Sequence, residues 1–98
     1  MILVRNVFQI KFGKMREAME LWKEGDAIMR SAGQQPARLL TDITGAFYTL
    51  VLENTFQSLA DFEKGHMSTA QSEIWRAWYA KFSRLVASGK REIFTIVQ

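Results

Sequence analysis

The chain has 98 residues and a formal net charge of +3, from 13 lysine and arginine residues against 10 aspartate and glutamate residues. A chain of this length forms one domain, residues 1–98, that can bury a core but keeps a small stability margin. The basic residues are spread along the chain, which disfavours a polyanion-binding stripe, and the absence of cysteine excludes disulfides, thiol nucleophiles and cysteine metal sites.

The N-terminal segment also bears on the compartment. Its first charge, Arg5, follows the apolar run of residues 1–4, which is the reverse of a signal peptide. No apolar run approaches the length of a membrane span. We therefore expect a cytoplasmic protein that does not engage a membrane.

Residues 2–12 alternate between two faces, which predicts a first strand. The more apolar face carries Ile2, Val4, Asn6, Phe8, Ile10 and Phe12. Because the opposite face is mixed, we expect the helices to cover the first face. Gly13 breaks the strand.

Helical spacing follows over residues 14–32. The apolar stripe consists of Met15, Ala18, Met19, Trp22, Met29 and Ala32. Asp26 is anomalous because it falls within this stripe. Gly33 suits the position just beyond the helix end.

A second strand is predicted over residues 37–43, after Pro36, and a third over residues 45–53, so the two form a hairpin. The third strand is apolar on both faces, with Phe47 and Val51 on one side and Tyr48 and Leu50 on the other. A strand of this kind should be covered twice. Its own helices cover one face, so we expect a second copy of the chain to cover the other.

The remainder predicts two helices and a fourth strand. Capping-box patterns begin at Ser58 and Ser68, which predicts a short helix over residues 58–64, a joint at residues 65–67, and a long helix over residues 69–87. The long helix should point Ala70, Ile74, Trp78, Phe82 and Leu85 inward. Gly89 should close it, and residues 91–97 alternate as a strand.

The resulting order is βαββαβ. Two right-handed crossovers then give an α+β, ferredoxin-like domain: a four-stranded antiparallel sheet with its helices on one face.

At this point the chain resembles the dimeric α+β barrel superfamily and, within it, NIPSNAP-like proteins. The similar segments are residues 2–14, Thr44-Gly45 with residues 47–52, residues 56–62, and residues 73–75. The resemblance implies a homodimer whose sheets pack face to face, often with a pocket between sheet and helices. It also implies several activities, since members include cofactor-independent monooxygenases, isomerases, haem-handling proteins and proteins without an assigned activity.

Three polar residues are candidates for a site. Asn6 is the polar residue on the inward face of the first strand, and Asp26 is the charged residue in the helical stripe. Either could line a pocket and orient a polar ligand, or simply bond to backbone or water at the edge of the core. His66, the sole histidine, lies at the predicted joint, where it could move protons or be merely exposed.

The helical aromatic residues suggest an apolar wall. Trp75 and Trp78, with Trp22 and Tyr79, are first of all core residues. A pocket walled by Trp75 and Trp78, with Asn6 or Asp26 at its floor, would nevertheless suit a flat apolar substrate. A non-catalytic structural or interaction domain is the alternative if the core is packed solid.

No catalytic triad, phosphate-binding loop or dinucleotide fingerprint occurs. With no cysteine and one histidine we expect no metal site and no cofactor, although a haem would need only His66. RNA-recognition domains share the βαββαβ order. Here, however, Leu3 and Ala46 occupy positions where base-stacking aromatics belong, and only Tyr48 is kept, so we expect no nucleic acid partner.

Overall fold

The computed structural model describes residues 1–98 and confirms the predicted βαββαβ order, with the second helical segment divided in two. The strands are β1 (Ile2–Ile10), β2 (Arg38–Thr41), β3 (Thr49–Phe56) and β4 (Val86–Thr95). The helices are α1 (Met15–Ser31), α2 (Leu59–Ala70) and α3 (Glu73–Ser83). None of them combines the length and the apolar character that crossing a bilayer requires.

The sheet has the strand order β2-β3-β1-β4, and every neighbouring pair is antiparallel. β1 and β3 occupy the middle, with Val7 opposite Val51 and Phe8 opposite Leu50. The core lies between one sheet face and helices α1 and α3. Its buried residues are Ile10, Leu50 and Leu52 from the sheet and Ala18, Trp22, Trp78, Phe82 and Leu85 from the helices or just beyond them.

Trp78 is the centre of that core. Its ring lies 5.4 Å from the Trp22 ring and 5.0 Å from the Phe82 ring. Its indole Nε1 donates a hydrogen bond of 2.7 Å to the Leu21 carbonyl, which satisfies the one polar atom of a buried side chain. Gly25 of α1 makes room for the ring, because a Cβ there would lie only 2.5 Å from the Trp78 Cζ2.

The β2–β3 hairpin is confirmed, but the predicted start of the third strand at Gly45 is wrong. Residues 42–48 form a longer turn, in which Gly45 and Tyr48 have φ of 103° and 60°. Asp42 Oδ1 accepts a hydrogen bond from the Thr49 backbone N–H, which closes the turn and delays β3. Phe47 is therefore 72% exposed rather than covered within a strand. Tyr48 likewise lies outside the strand.

The first strand also ends earlier than predicted, at Ile10. Phe12 consequently leaves the inward face and is exposed, with its ring 5.1 Å from that of Tyr48. The helical stripe that follows is confirmed at Ala18 and Trp22, whereas Met19 is exposed.

The joint predicted at residues 65–67 is wrong, because α2 continues through them to Ala70. Ser58 does cap α2, accepting from the Asp61 N–H, but the second cap is Ser72, which accepts from the Trp75 N–H, and not Ser68. Starting α3 at Glu73 turns Trp75, Trp78 and Phe82 toward the core. Ile74, predicted to point inward, is 69% exposed.

β4 begins at Val86, five residues before the predicted start, and the last helix ends at Ser83 instead of residue 87. Gly89 does not close a helix. It lies opposite Phe8 in the β1–β4 ladder, and a Cβ there would lie 3.2 Å from the Val7 carbonyl oxygen. Pairing with β1 thus outweighs the helical spacing of this segment.

The face of the sheet away from the helices carries a row of alternating charges across all four strands. Glu53 of β3 is only 6% exposed and bonds both Arg5 Nε, at 2.8 Å, and Arg38 Nη2, at 2.6 Å. Arg5 Nη1 continues to Glu92 at 3.9 Å. The hydrogen bonds from Arg38 and Arg5 hold the pKa of Glu53 below its usual value, although desolvation acts against them.

Gly25→Ala should destabilise the protein by about 1–3 kcal/mol, because the new methyl group overlaps the buried Trp78 ring. Denaturant unfolding measures the loss. Gly65→Ala is the matched control, since that helical glycine faces only the flexible Gln34 side chain. The control should be neutral or gain up to about 1 kcal/mol from helix propensity. Equal effects at the two positions would contradict the packing described for Trp78.

Glu53→Gln should flatten the acid limb of the stability profile. Because the folded-state pKa of Glu53 is lowered, its ion pairs contribute above the usual value of about 4.5 and are lost as the pH falls through the folded-state pKa. Unfolding free energies measured from pH 7 downward should therefore fall less steeply in the variant. Glu20→Gln, in an exposed helical pair, should follow the wild type. Parallel profiles for wild type and Glu53→Gln would refute the assignment.

Candidate ligand-binding cavity

A cavity of about 1040 Å³ lies between the helix-facing side of the sheet and helices α2 and α3, and it is open to solvent. It exists because α3 packs mainly on α1, whereas α2 makes few contacts with either α3 or β3. The part of the sheet beneath α2 is therefore incompletely filled. The volume slightly exceeds the range of about 300–1,000 Å³ that is typical of small-molecule sites.

The floor comes from alternate residues of the two central strands. Its members are Val4, Asn6 and Phe8 of β1, and Leu52, Asn54 and Phe56 of β3. The walls are largely aromatic: Phe62 and His66 come from α2, and Trp75, Trp78, Tyr79 and Phe82 come from α3. Such a mixture of apolar walls and a few polar groups is typical of sites for small organic ligands.

Asn6 lies in the floor, on the helix-facing side that the alternation of β1 predicts. Its Oδ1 accepts a hydrogen bond of 2.7 Å from Arg91 Nε, across the β1–β4 register that places the two residues opposite each other. Because an arginine only donates, this bond fixes the orientation of the Asn6 amide. The Asn6 NH₂ group is then left as a donor.

Phe62 connects the two sides of the cavity. The Arg91 guanidinium carbon lies 5.4 Å from the centre of its ring, within the range of a cation–π contact. The His66 ring stacks on the same side chain at 5.6 Å, with an interplanar angle of 24°. Phe62 of α2 therefore contacts both Arg91 at the edge of the sheet and His66 on its own helix. His66 lies in α2, so it lines the cavity from a helix and not from the loop that the sequence predicted.

The two predicted tryptophans both line the cavity, but they differ in availability. Trp78 is buried and its indole N–H is bound to Leu21. Trp75 is half-buried and lies 4.7 Å from Trp78, centre to centre. Trp75 is therefore the indole whose exposed surface is available for contact with a ligand.

Asp26 is not among the residues that line the cavity. It is 27% exposed and accepts a hydrogen bond of 2.8 Å from Arg30 Nε, one helical turn further along. This local ion pair satisfies the carboxylate within α1. The geometry therefore gives no support to the ligand-binding role predicted for Asp26.

The sequence reasoning missed Arg91 and Asn54 as lining residues. Asn54 Nδ2 donates to the Gln35 carbonyl at 3.4 Å, and both residues line the cavity. Arg91 could be found only by pairing β4 with β1 in the correct register, because the strand was predicted to start at that residue. Asn54 follows from the alternation of β3 once the strand is extended past Glu53.

No group of three or more histidine, aspartate or glutamate side chains comes together as a metal site. Glu53, the one carboxylate with a shifted pKa, lies on the opposite face of the sheet and cannot act in the cavity. The chemistry that the cavity offers is therefore aromatic stacking, amide hydrogen bonds, one guanidinium at its edge, and the His66 imidazole.

The four-stranded antiparallel sheet with helices on one face, and a cleft between them, defines the ferredoxin-like α+β class. Within that class, the NIPSNAP family model matches residues 5–98, and the chain belongs to the NIPSNAP family. No curated protein matches the sequence.

Solved structures agree on the fold. A NIPSNAP family protein from Agrobacterium tumefaciens is 23% identical and superposes with a TM-score of 0.90 over 98% of this chain and 85% of that protein. A putative antibiotic biosynthesis monooxygenase from Nitrosomonas europaea is 14% identical, with a TM-score of 0.76 over the whole of both chains. SnoaB, a cofactor-independent oxygenase from Streptomyces nogalater, is 15% identical, with a TM-score of 0.74 over 99% and 93%.

Proposed function

We propose that this NIPSNAP protein binds a small, flat, apolar or aromatic molecule in the cavity, and converts it without a cofactor by an oxygenation or an isomerisation. The observation that carries the proposal is the cavity itself, with aromatic walls above a floor that contains Asn6. A non-catalytic structural domain has no need of such a space beneath its helices.

The contacts suit a planar ligand. Trp75 and Phe62 line the cavity from two different helices, so a flat molecule between helices and sheet would make apolar contacts with both and could stack on the half-buried Trp75. The Asn6 amide would orient a polar substituent from below. His66 supplies the one imidazole of the lining, a side chain that can serve as a general base toward a bound substrate.

The similarity to SnoaB and to the Nitrosomonas protein supports the reaction class only at the level of fold. Cofactor-free oxygenation requires a substrate that is itself electron-rich after losing a proton. A cavity that stacks an aromatic molecule beside an imidazole is consistent with that requirement. Substrate turnover, and not binding, distinguishes an enzyme from a carrier of the same ligand.

We further propose that the open sheet face is covered by a second copy of the chain. Val7, Val51 and Leu40 lie side by side across β1, β3 and β2 on that face, next to the charged row around Glu53. Burying these apolar side chains against a twin would remove the only large solvent-facing side of the sheet.

Binding of 2-naphthamide, a flat neutral probe, tests the small-molecule proposal. Isothermal titration calorimetry should show saturable binding, accompanied by a shift of the Trp75 indole N–H resonance. Trp75→Ala should weaken binding about tenfold through lost stacking area, worth ~1.5 kcal/mol. Ile74→Ala, the exposed neighbour outside the lining, should leave the affinity unchanged. Absence of saturable binding by folded wild-type protein would overturn the proposal.

Val7→Glu tests the dimer, because it places a charge among the apolar residues of the open face. Light scattering should give a dimer for the wild type and a monomer for the variant at micromolar concentration. Ala27→Glu, on the exposed side of α1, should remain dimeric. A monomeric wild-type protein would contradict the proposal directly.

A further inference from the structure

We propose that the ligand of this cavity is a planar organic anion, a carboxylate, phenolate or enolate on an aromatic framework, whose charged group binds Arg91. This inference rests on the proposed function, and it adds the charge of the ligand and the residue that selects it.

The charge of the lining favours an anion. Arg76 and Arg91 contribute two positive charges to the lining, against the single carboxylate of Asp61. The Lys90 ammonium lies on the far face, 3.9 Å from Glu92. The other acidic residues lie elsewhere, and Glu53 and Glu92 are engaged in the charged row on the far face. The net positive charge of the lining would not strengthen the binding of a neutral apolar ligand, whereas it would attract an anion electrostatically.

Arg91 differs from the arginines that hold the sheet and α1 together. Arg5, Arg30 and Arg38 each have a carboxylate partner. Arg91 has none within 4.0 Å, and its one hydrogen bond uses Nε on the neutral Asn6 amide. Both terminal nitrogens of the guanidinium therefore remain as donors. These are the atoms that bind a carboxylate as a fork.

The guanidinium is also held in position. The bond from Nε to Asn6 fixes one edge, and the Phe62 ring at 5.4 Å restrains its plane. Less side-chain freedom is lost when an anion binds to a group that is already held. The Asn6 NH₂ group, which its Oδ1 bond leaves free, supplies a further donor at the same place.

The side chains around Arg91 indicate that the rest of the ligand is aromatic. Phe62 and Trp75 lie on the walls above the floor that carries Asn6. A ligand whose acidic group meets Arg91 would extend its rings toward these side chains. An aliphatic anion would make the ionic contact but lose the stacking, so the two features together select a planar aromatic acid.

A pair of probes with nearly the same shape isolates the charge. 2-Naphthoate carries the carboxylate, and 2-naphthamide replaces it by a neutral amide of similar size. Calorimetry at neutral pH should give an affinity for 2-naphthoate about tenfold higher than that for 2-naphthamide, as expected for hydrogen bonds to a charged group.

The variants assign this preference to one residue. Arg91→Met should reduce the affinity for 2-naphthoate about tenfold, to the level of the amide, while 2-naphthamide binds as to the wild type. Arg91→Lys, which keeps the charge without the fork, should retain part of the preference. Arg84→Met, an arginine at the end of α3 outside this cavity, should retain all of it.

Each outcome separates the two proposals. If neither probe binds saturably, the proposed function fails. If the amide binds as tightly as the carboxylate, the cavity binds neutral molecules and only the present inference is overturned. If Arg84→Met reduces the preference as much as Arg91→Met does, the selectivity comes from net charge and Arg91 is not the anchor. Unchanged amide binding by Arg91→Met excludes a mere loss of structure.

Discussion

The contact between Trp78 and Gly25 determines how the helices lie on the sheet. Because Gly25 has no side chain, the Trp78 indole of α3 can lie directly against the backbone of α1. Its N–H donates to the Leu21 carbonyl, which also belongs to α1. α1 and α3 are thereby joined over the part of the sheet that carries Leu50 and Ile10. α2 takes no part in this contact, so it stands over the remaining strands with a cavity beneath it.

Local pattern was sufficient to orient β1 and α1, and insufficient to divide the segment after residue 64 into helices and strand. The alternation of β1 and the stripe of α1 place Asn6 and Trp22 on the correct sides, because both elements bury one continuous face. The segment after residue 64 contains several possible helix starts and two glycines, Gly65 and Gly89. Ser68, with Gln71 three residues later, is the better capping-box match in sequence, yet Ser72 caps α3. The burial of Trp78 and Phe82 is what favours the later start. Gly89 resembles a helix terminator until the close approach of Phe8 across the sheet is known.

The same reasoning about an isolated polar residue gave different results at Asp26 and at Asn6. Arg30 lies four residues after Asp26, so the sequence already contained a local partner for that carboxylate. Asn6 has no such neighbour in sequence, and its partner comes from a strand more than eighty residues away. A polar residue on an apolar face is thus the better candidate for a site when nothing one turn or one strand position away can satisfy it.

The charged row on the other face constrains how a second copy could pack there. Across β2, β3, β1 and β4 the signs alternate, from Arg38 through Glu53 and Arg5 to Glu92. If the twofold axis of the proposed dimer is parallel to the strands, the row of the second copy runs in the reverse order. Arg38 would then face Glu92 of the second copy, and Glu53 would face its Arg5. An axis along the row would instead set like charges against each other. Since a closed dimer uses the same surface on both copies, electrostatics favours the first arrangement, in which the strands of the two sheets run in the same direction.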